Sequence, residues 1–359
     1  MVLDFAKQAI ENTSSHSINF DELRAGKANI KVIGVGGCGG NGVTWLFNKG
    51  INGATIYGMN TDALHLSVTK ADEKLLIGKE LTRGLGAGGK PKVGREAARE
   101  ALADIKKAVG NADMVFVLAG MGGGTGTGAA PVIAQMAKET GAVVIGVVTM
   151  PFESEKARID KAEFGLQELR EVTDTTIVLD NNRLVDIAGQ LPLEQAFAVA
   201  NELVSTMVKG IVETITLPSL INLDYADVST IMKNGGVAVI GIGESDTQER
   251  VSEAVKQALT HPLLDVDYKG ASGALIHVTC GPDLKLEEFD VIGRAVSENL
   301  SSDAQVIIGA RISKDFVGKV RVITIMTGVK SPYVLGGDIE TQSSPAEREM
   351  SDLGIEVWK

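Results

Sequence analysis

Short apolar runs punctuate the chain and do not alternate with polar residues. Asn29–Val35 (NIKVIGV), Met114–Ala119 (MVFVLA), Ala142–Thr149 (AVVIGVVT) and Thr176–Leu179 are of this kind, with Thr55–Asn60 a further strand. A strand with water on one face alternates; one buried on both faces reads as continuous Val/Ile/Leu. Between these runs apolar residues recur at helical spacing, over Val43–Asn48, from about residue 95 to Val109, over Ala129–Thr140 and over Glu155–Glu171. Residues 71–94 read as a charged, glycine-rich loop. The pattern predicts an α/β fold, a doubly wound parallel sheet with helices on both faces. Leu193–Ile215 has no proline and only Gly210 as a breaker, which predicts one helix of about twenty residues. Past Pro218 come helix 227–234, strand Val237–Ile242, helix 247–260, strand Ala274–Thr279, helix 285–299, and strands Gln305–Ile312 and Lys319–Thr327. The predicted divisions are an N-terminal extension (1–27), a first α/β domain (28–191), a central helix (192–217), a second, smaller α/β domain (218–330) and a flexible polar tail (331–359).

Composition narrows the function. The 359 residues carry a formal charge of −11, which argues against a protein held on duplex nucleic acid by phosphate contacts. No uncharged apolar run approaches the ~18–20 residues of a membrane span. The first residues, with Asp4, Lys7 and Glu11, lack the apolar core of a signal peptide. Cys38 and Cys280 are too far apart for a metal-ligand spacing, and a disulfide framework is not expected. A cytoplasmic protein without membrane insertion is the expectation.

Glycine is the compositional outlier. Seventeen of the 42 glycines fall in three segments, 34–42, 84–94 and 120–128. Gly34-Val-Gly36-Gly-Cys38-Gly39 matches G-x-G-x-x-G between a strand and a helix, where backbone N–H groups face an anion; a tight strand–helix turn without ligand is the plainer alternative. GMGGGTGTG at 120–128 is more specific. Its small residues let successive N–H groups converge on phosphate oxygens, and Thr125 and Thr127 add hydroxyls. RGLGAGGK at 83–90 fits a loop over the outermost phosphate, or a solvated loop. No Gly-Lys pair is followed by Ser or Thr, so a Walker loop is excluded.

GGCGGN at 36–41 and GGGTGTG at 122–128, with NTDA at 60–63, RGLGAGGKP at 83–91 and NLDYAD at 222–227, resemble the tubulin/FtsZ family of filament-forming GTPases over roughly residues 29–330. The nearer likeness is to its prokaryotic cell-division branch, and the short acidic tail looks archaeal. The resemblance implies GTP or GDP in the cleft, with Mg²⁺ whose ligands it does not identify. It places phosphates on Gly36, Gly37, Cys38, Gly39, Gly40 and Asn41, on Gly122, Gly123, Gly124, Thr125, Gly126 and Thr127, and on Ala87 and Gly88. Cys38 stands where relatives carry Gly or Ala; burial is a plainer reading for it than a redox role. Phe197 and Asn201, spaced i and i+4, would stack on and hydrogen-bond a guanine; on residue type alone Phe197 reads as core. Relatives often carry Asp at the Asn201 position. PFESEKAR has one residue fewer than the family's P-F-x-x-E-G-x-x-R, leaving either Glu155 or Glu153 for the ribose beside Arg158, with Asn181 near sugar and base.

The resemblance also implies that Asn222, Asp224 and Asp227 complete the nucleotide site of a neighbouring subunit, the two carboxylates orienting the attacking water. An acidic helix N-cap is the other reading of NLDYAD. A site split this way makes copies associate head-to-tail into open filaments at a division ring, with hydrolysis coupled to assembly. Leu353–Trp358, at the end of the tail, would dock a membrane tether or division regulator, or pack back on the second domain. Two competing functions stay open. One is an NAD-dependent Rossmann dehydrogenase, with Asp62 near the ribose offset after GVGGCG; the other is a scaffold that binds nucleotide without hydrolysis.

Overall fold

A computed structural model describes residues 28–217, 219–221, 223–233, 236–260, 271–298 and 300–329. The chain opens with β1 (Ile30–Val35), α1 (Gly36–Lys49), β2 (Ala54–Asn60), α2 (Ala63–Val68), β3 (Glu73–Leu76) and α3 (Lys79–Thr82). It continues through α4 (Pro91–Glu100), α5 (Leu102–Val109), β4 (Met114–Gly120), α6 (Thr125–Glu139), β5 (Val143–Met150), a 3-10 segment (Glu153–Arg158), α7 (Ile159–Val172), β6 (Thr175–Asp180), α8 (Asn181–Ala188) and α9 (Leu193–Thr216). The second half holds α10 (Tyr225–Met232), β7 (Gly236–Ser245), α11 (Arg250–Leu259), β8 (Gly273–Cys280), α12 (Leu286–Ser297), β9 (Gln305–Ile312) and β10 (Val320–Thr327).

Strands β3-β2-β1-β4-β5-β6 form a parallel sheet in the doubly wound order. Their continuous apolar sequences are explained by cover on both faces. Val32, Phe116, Leu118 and Ile145 turn to one layer, against Leu46 of α1 and Leu203, Met207 and Ile211 of α9. Ile33, Val117 and Val144 turn to the other, against Ile105, Ile133 and Leu169 of α5, α6 and α7. Each such side chain contributes roughly 1.5–3 kcal/mol on burial. Two residue pairs, Thr175↔Gly236 and Thr176↔Val237, join β6 to β7 and so to the mixed sheet β7-β10-β8-β9. The central helix α9 serves both sheets: a side chain at Gly210 would overlap Ile323 of β10.

Several local expectations change. Residues 71–94 are not a continuous loop but carry β3, α3 and the start of α4, because Leu75 and Leu76 pair with Met59 and Asn60 along the sheet edge. Helix α1 begins at Gly36, not Val43, and α6 at Thr125, not Ala129. Glycine disfavours a free helix, but here packing around the first turns overrides propensity. The Glu155–Glu171 helix is a 3-10 segment running into α7, broken by Lys156 at φ +33°. The expected N-terminal extension and tail, with Leu353–Trp358, lie outside the described residues.

Candidate functional site

In this order the sense in which strands are added to the sheet reverses between β1 and β4, which leaves a crevice at the carboxyl ends of the strands. A cavity of about 470 Å³ occupies it. Helices α1 and α6 both start at its floor, and neither has a side-chain N-cap or an acidic residue in its first turn. The leading N–H groups of a helix have no partner within it and carry the positive end of its dipole. The two starts are in contact: a Cβ on Gly36 would lie 3.0 Å from the Gly126 nitrogen. Two unneutralised helix N-termini side by side form a site for a polyanion.

The glycines divide into two groups by what surrounds them. A side chain on Gly39 would overlap the Leu118 carbonyl, on Gly94 the Gly124 carbonyl, and on Gly128 the Pro91 carbonyl. A Cβ on Gly120 would lie 2.6 Å from that of Cys38, and one on Gly126 2.6 Å from the Gly120 carbonyl oxygen. These glycines let the three segments interlock. Gly123, Gly88 and Gly89 have nothing within 4 Å of such an atom, and Gly37 has only His65, at 3.8 Å. That second group faces the cavities, so much of the glycine excess serves packing of the cradle and the remainder exposes backbone to its contents.

The predicted residues converge, with named exceptions. Gly37, Cys38, Asn41, Gly123, Gly124, Thr125 and Gly126 line the floor, while Glu155, Arg158, Asn181, Phe197 and Asn201 line the far wall. Gly36, Gly39, Gly40, Gly122 and Thr127 do not line it; Thr127 is buried with its hydroxyl unpartnered, and its methyl faces Gly165. Cys38 refines the burial reading: the residue is exposed at the cleft, but its sulfur, 3.3 Å from the Thr149 hydroxyl, is desolvated enough to raise the thiol pKa. Phe197 is not core either, standing 39% exposed. It meets Phe152 edge to face, centroids 6.1 Å apart. Glu155 accepts from the Phe152 N–H at 3.1 Å and from Arg158 at 2.6 Å, so its carboxylate, not that of Glu153, lies in the wall.

Beyond Gly123 and Gly124 lies an outer cavity of about 420 Å³, walled by the glycine segment 84–94 with Ala87 and Gly88, and by Asn60, Asp62, His65 and Arg158. The segment is held in place: Gly86 N–H donates to Thr61 O, and the Lys161 ammonium donates to Gly89 O at 3.0 Å.

Asp224 and Asp227 sit elsewhere. Asp224 caps α10, accepting from Asp227 N–H at 2.9 Å, and Asp227 accepts from Asp224 N–H at 3.1 Å. The Tyr225 hydroxyl ties this turn to the Asp113 carbonyl, just before β4 begins. The cleft lies past the other end of that strand, roughly 20 Å away at about 3.3 Å per residue. Asn222 lies outside the described residues.

Residues 29–189 match the Tubulin/FtsZ family, GTPase domain, and residues 236–330 match the FtsZ family, C-terminal domain. The sequence is 51% identical over 356 residues to cell division protein FtsZ 2 of Halobacterium salinarum, covering 98% of this chain and 90% of that protein. The chain belongs to the tubulin/FtsZ family. It is likewise 51% identical over 341 residues to FtsZ 2 of Methanocaldococcus jannaschii, 94% of this chain and 89% of that one. The FtsZ dimer structure from M. jannaschii superposes with a TM-score of 0.79 at 49% identity, over 90% of this chain and 92% of that one. CetZ2 from Haloferax volcanii, at 21% identity and a TM-score of 0.74 over 90% of this chain and 97% of that one, shares the fold.

The tubulin/FtsZ match makes the chain a GTPase of that family and overturns the dehydrogenase alternative. Asp62, which prompted that alternative, accepts from the His65 N–H as the N-cap of α2. Sequence reasoning missed Thr149, Met150, Pro151 and Phe152, which line the cleft. Their signal was available: Thr149 and Met150 end a parallel strand on the carboxyl side of the sheet, and Pro151 and Phe152 follow it. It gave no role to Asn60, quoted only within NTDA, and missed His65, which carries no glycine signature. Among the described residues no helix is long and apolar enough to cross a membrane.

Proposed function

We propose that the cleft binds GTP with the base between Phe197 and Asn201, the sugar by Glu155 and Asn181, and the phosphates on the starts of α1 and α6. The observation that carries this reading is the pair of uncapped helix N-termini meeting at Gly36 and Gly126. Cys38, Asn41 and Ala87 to Gly88 then border the phosphates, and Gly36, Gly39, Gly40, Gly122 and Thr127 hold the cradle's shape. The Asn201 side chain supplies a neutral acceptor for guanine N–H groups. Mg²⁺ fits as an ion carried by the phosphates and water. The outer cavity offers the Asp62 carboxylate and the Asn60 amide, and no cluster of three His, Cys, Asp or Glu groups among the described residues would hold an ion unaided.

Hydrolysis belongs to a second copy. Asp224 and Asp227, at the opposite end of the sheet from their own cleft, meet the nucleotide of the next molecule in a head-to-tail stack. They orient the attacking water there with Asn222, and catalysis is mostly positioning and electrostatics. Such a contact does not close, so it extends into filaments. The FtsZ dimer structure from M. jannaschii supports self-association. Filaments at the division site, tethered through the tail end Leu353–Trp358 by a partner protein, complete the reading. Light scattering and phosphate release followed together after GTP addition test it: both rise above a threshold concentration. Turnover per subunit that does not change with protein concentration would remove the shared site.

A further inference from the structure

His65 stands in the wall of the outer cavity, in the first turn of α2. Its ring folds back over the start of α1. A Cβ on Gly40 would lie 3.2 Å from the ring Cε1 and 3.4 Å from Nδ1, and one on Gly37 would lie 3.8 Å from Nε2. Gly40 therefore leaves room for the imidazole, and Nε2 is the ring atom at the Gly37 edge that both cavities share.

Asn60 faces the other ring nitrogen, Nδ1. The Asn60 Oδ1 accepts from the Asp62 N–H at 3.2 Å, which turns its NH₂ group toward His65 Nδ1, 3.5 Å away. An amide donor facing Nδ1 favours the tautomer that carries hydrogen on Nε2. The outer cavity thus gains an N–H donor beside the phosphate cradle. Two charged groups share its wall. Asp62 has one carboxylate oxygen engaged by the His65 N–H, and Arg158 is paired with Glu155 at 2.6 Å.

We propose that His65 donates from Nε2 to the outermost phosphate of a bound nucleoside triphosphate and so separates triphosphate from diphosphate. This rests on the cleft reading above: with the base at Phe197 and Asn201, the last phosphate is the one that reaches the outer cavity. A diphosphate leaves that cavity to water and the donor unused. The residue binds substrate and does not move a proton in the reaction.

The test is calorimetric binding of a non-hydrolysable GTP analogue and of GDP to the full chain with Mg²⁺. Losing a hydrogen bond to a charged phosphate makes His65→Ala weaken the triphosphate analogue roughly tenfold or more. GDP affinity stays within about twofold of wild type. His65→Gln, which restores an N–H donor, recovers most of the loss. His65→Phe, which keeps a ring over Gly40 without the donor, behaves as His65→Ala and carries the test if the alanine variant does not fold. Equal loss for both nucleotides, or no loss for either, overturns the assignment of His65. Wild type that binds neither nucleotide overturns the cleft reading itself.

Discussion

The indole N–H of Trp45 on α1 donates to the Glu202 carboxylate on α9 at 2.6 Å. Lys49 closes the same carboxylate from the next turn of α1 and also reaches the Thr206 hydroxyl at 2.5 Å. Together these contacts hold the Glu202 carboxyl below its usual range against the opposing effect of burial. Glu202 follows Asn201, and α1 begins in the phosphate cradle. One polar clamp therefore ties the helix proposed to read the base to the helix proposed to hold the phosphates.

Glu202 is half-exposed, so the ion pair itself adds at most about 1 kcal/mol to stability. Its larger effect is on alignment. Glu202→Ala is expected to weaken GTP binding about threefold to tenfold, by up to roughly 1.4 kcal/mol. The melting temperature should fall by no more than a few degrees. Trp45 emission, read in a Trp358→Phe background, reports the lost carboxylate directly. An unchanged GTP affinity would reduce the clamp to a surface contact.

The two groups of glycines predict opposite phenotypes. Gly128→Ala places a methyl group into the Pro91 carbonyl and 2.7 Å from the Arg95 nitrogen, both backbone and unable to step aside. It should destabilise the fold by about 3 kcal/mol, the upper end for overpacking. Gly123→Ala meets nothing within 4 Å and should fold as wild type. Its methyl group projects where a phosphate is proposed to lie, so GTP binding should fall more than roughly tenfold. Denaturant titration and calorimetry on the two variants check both halves. Normal GTP binding by Gly123→Ala would place the phosphates elsewhere.

The fold was legible because burial on both faces writes itself into β1, β4 and β5 as unbroken apolar runs. The 24-residue α9 was legible from its periodic stripe. The short β3 and α3 were not, since a four-residue edge strand reading EKLL carries too little pattern to stand apart from a loop. In the cleft, glycine density marked the region but not the division of labour. Gly39 and Gly123 look alike in sequence, and only the neighbouring Leu118 carbonyl shows that the first is structural. Phe152 was quoted only within PFESEKAR, where the motif points to the Glu and Arg and gives the ring no role. Its packing against Phe197 depends on a contact between residues 45 positions apart.

Asp224 serves as the helix cap and is also proposed to act on nucleotide, and the two roles separate by substitution. Asn caps a helix as well as Asp does, so Asp224→Asn should keep stability within about 0.5 kcal/mol. It loses the carboxylate, and GTP turnover should fall at least tenfold while GTP binding persists. Asp227→Ala breaks the capping pair, costs about 1 kcal/mol and also loses turnover. Phosphate release at saturating GTP, with stability from urea unfolding, checks the pair. Wild-type turnover in Asp224→Asn would leave this turn a cap and nothing more.

His277 sets an acid limit on the second half of the molecule. It is buried in β8 on the side facing α9, in the layer of Leu275 and Ile323, with its Nδ1 unpartnered. Burial, with the nearby Arg311 guanidinium, lowers its pKa from 6.5 to about 4. The unfolded chain takes up the proton near pH 6.5 while the folded chain resists until about 4. The stabilisation from keeping the ring neutral is therefore present above pH 6.5 and is lost as pH falls toward 4. By linkage it amounts to about 2 kcal/mol between pH 7 and pH 5. His277→Gln, which cannot titrate, should flatten that part of the profile even where its stability at pH 7 is lower. Urea unfolding of both proteins at pH 7 and pH 5 gives the two slopes, and equal slopes would show that this ring takes up no proton on unfolding.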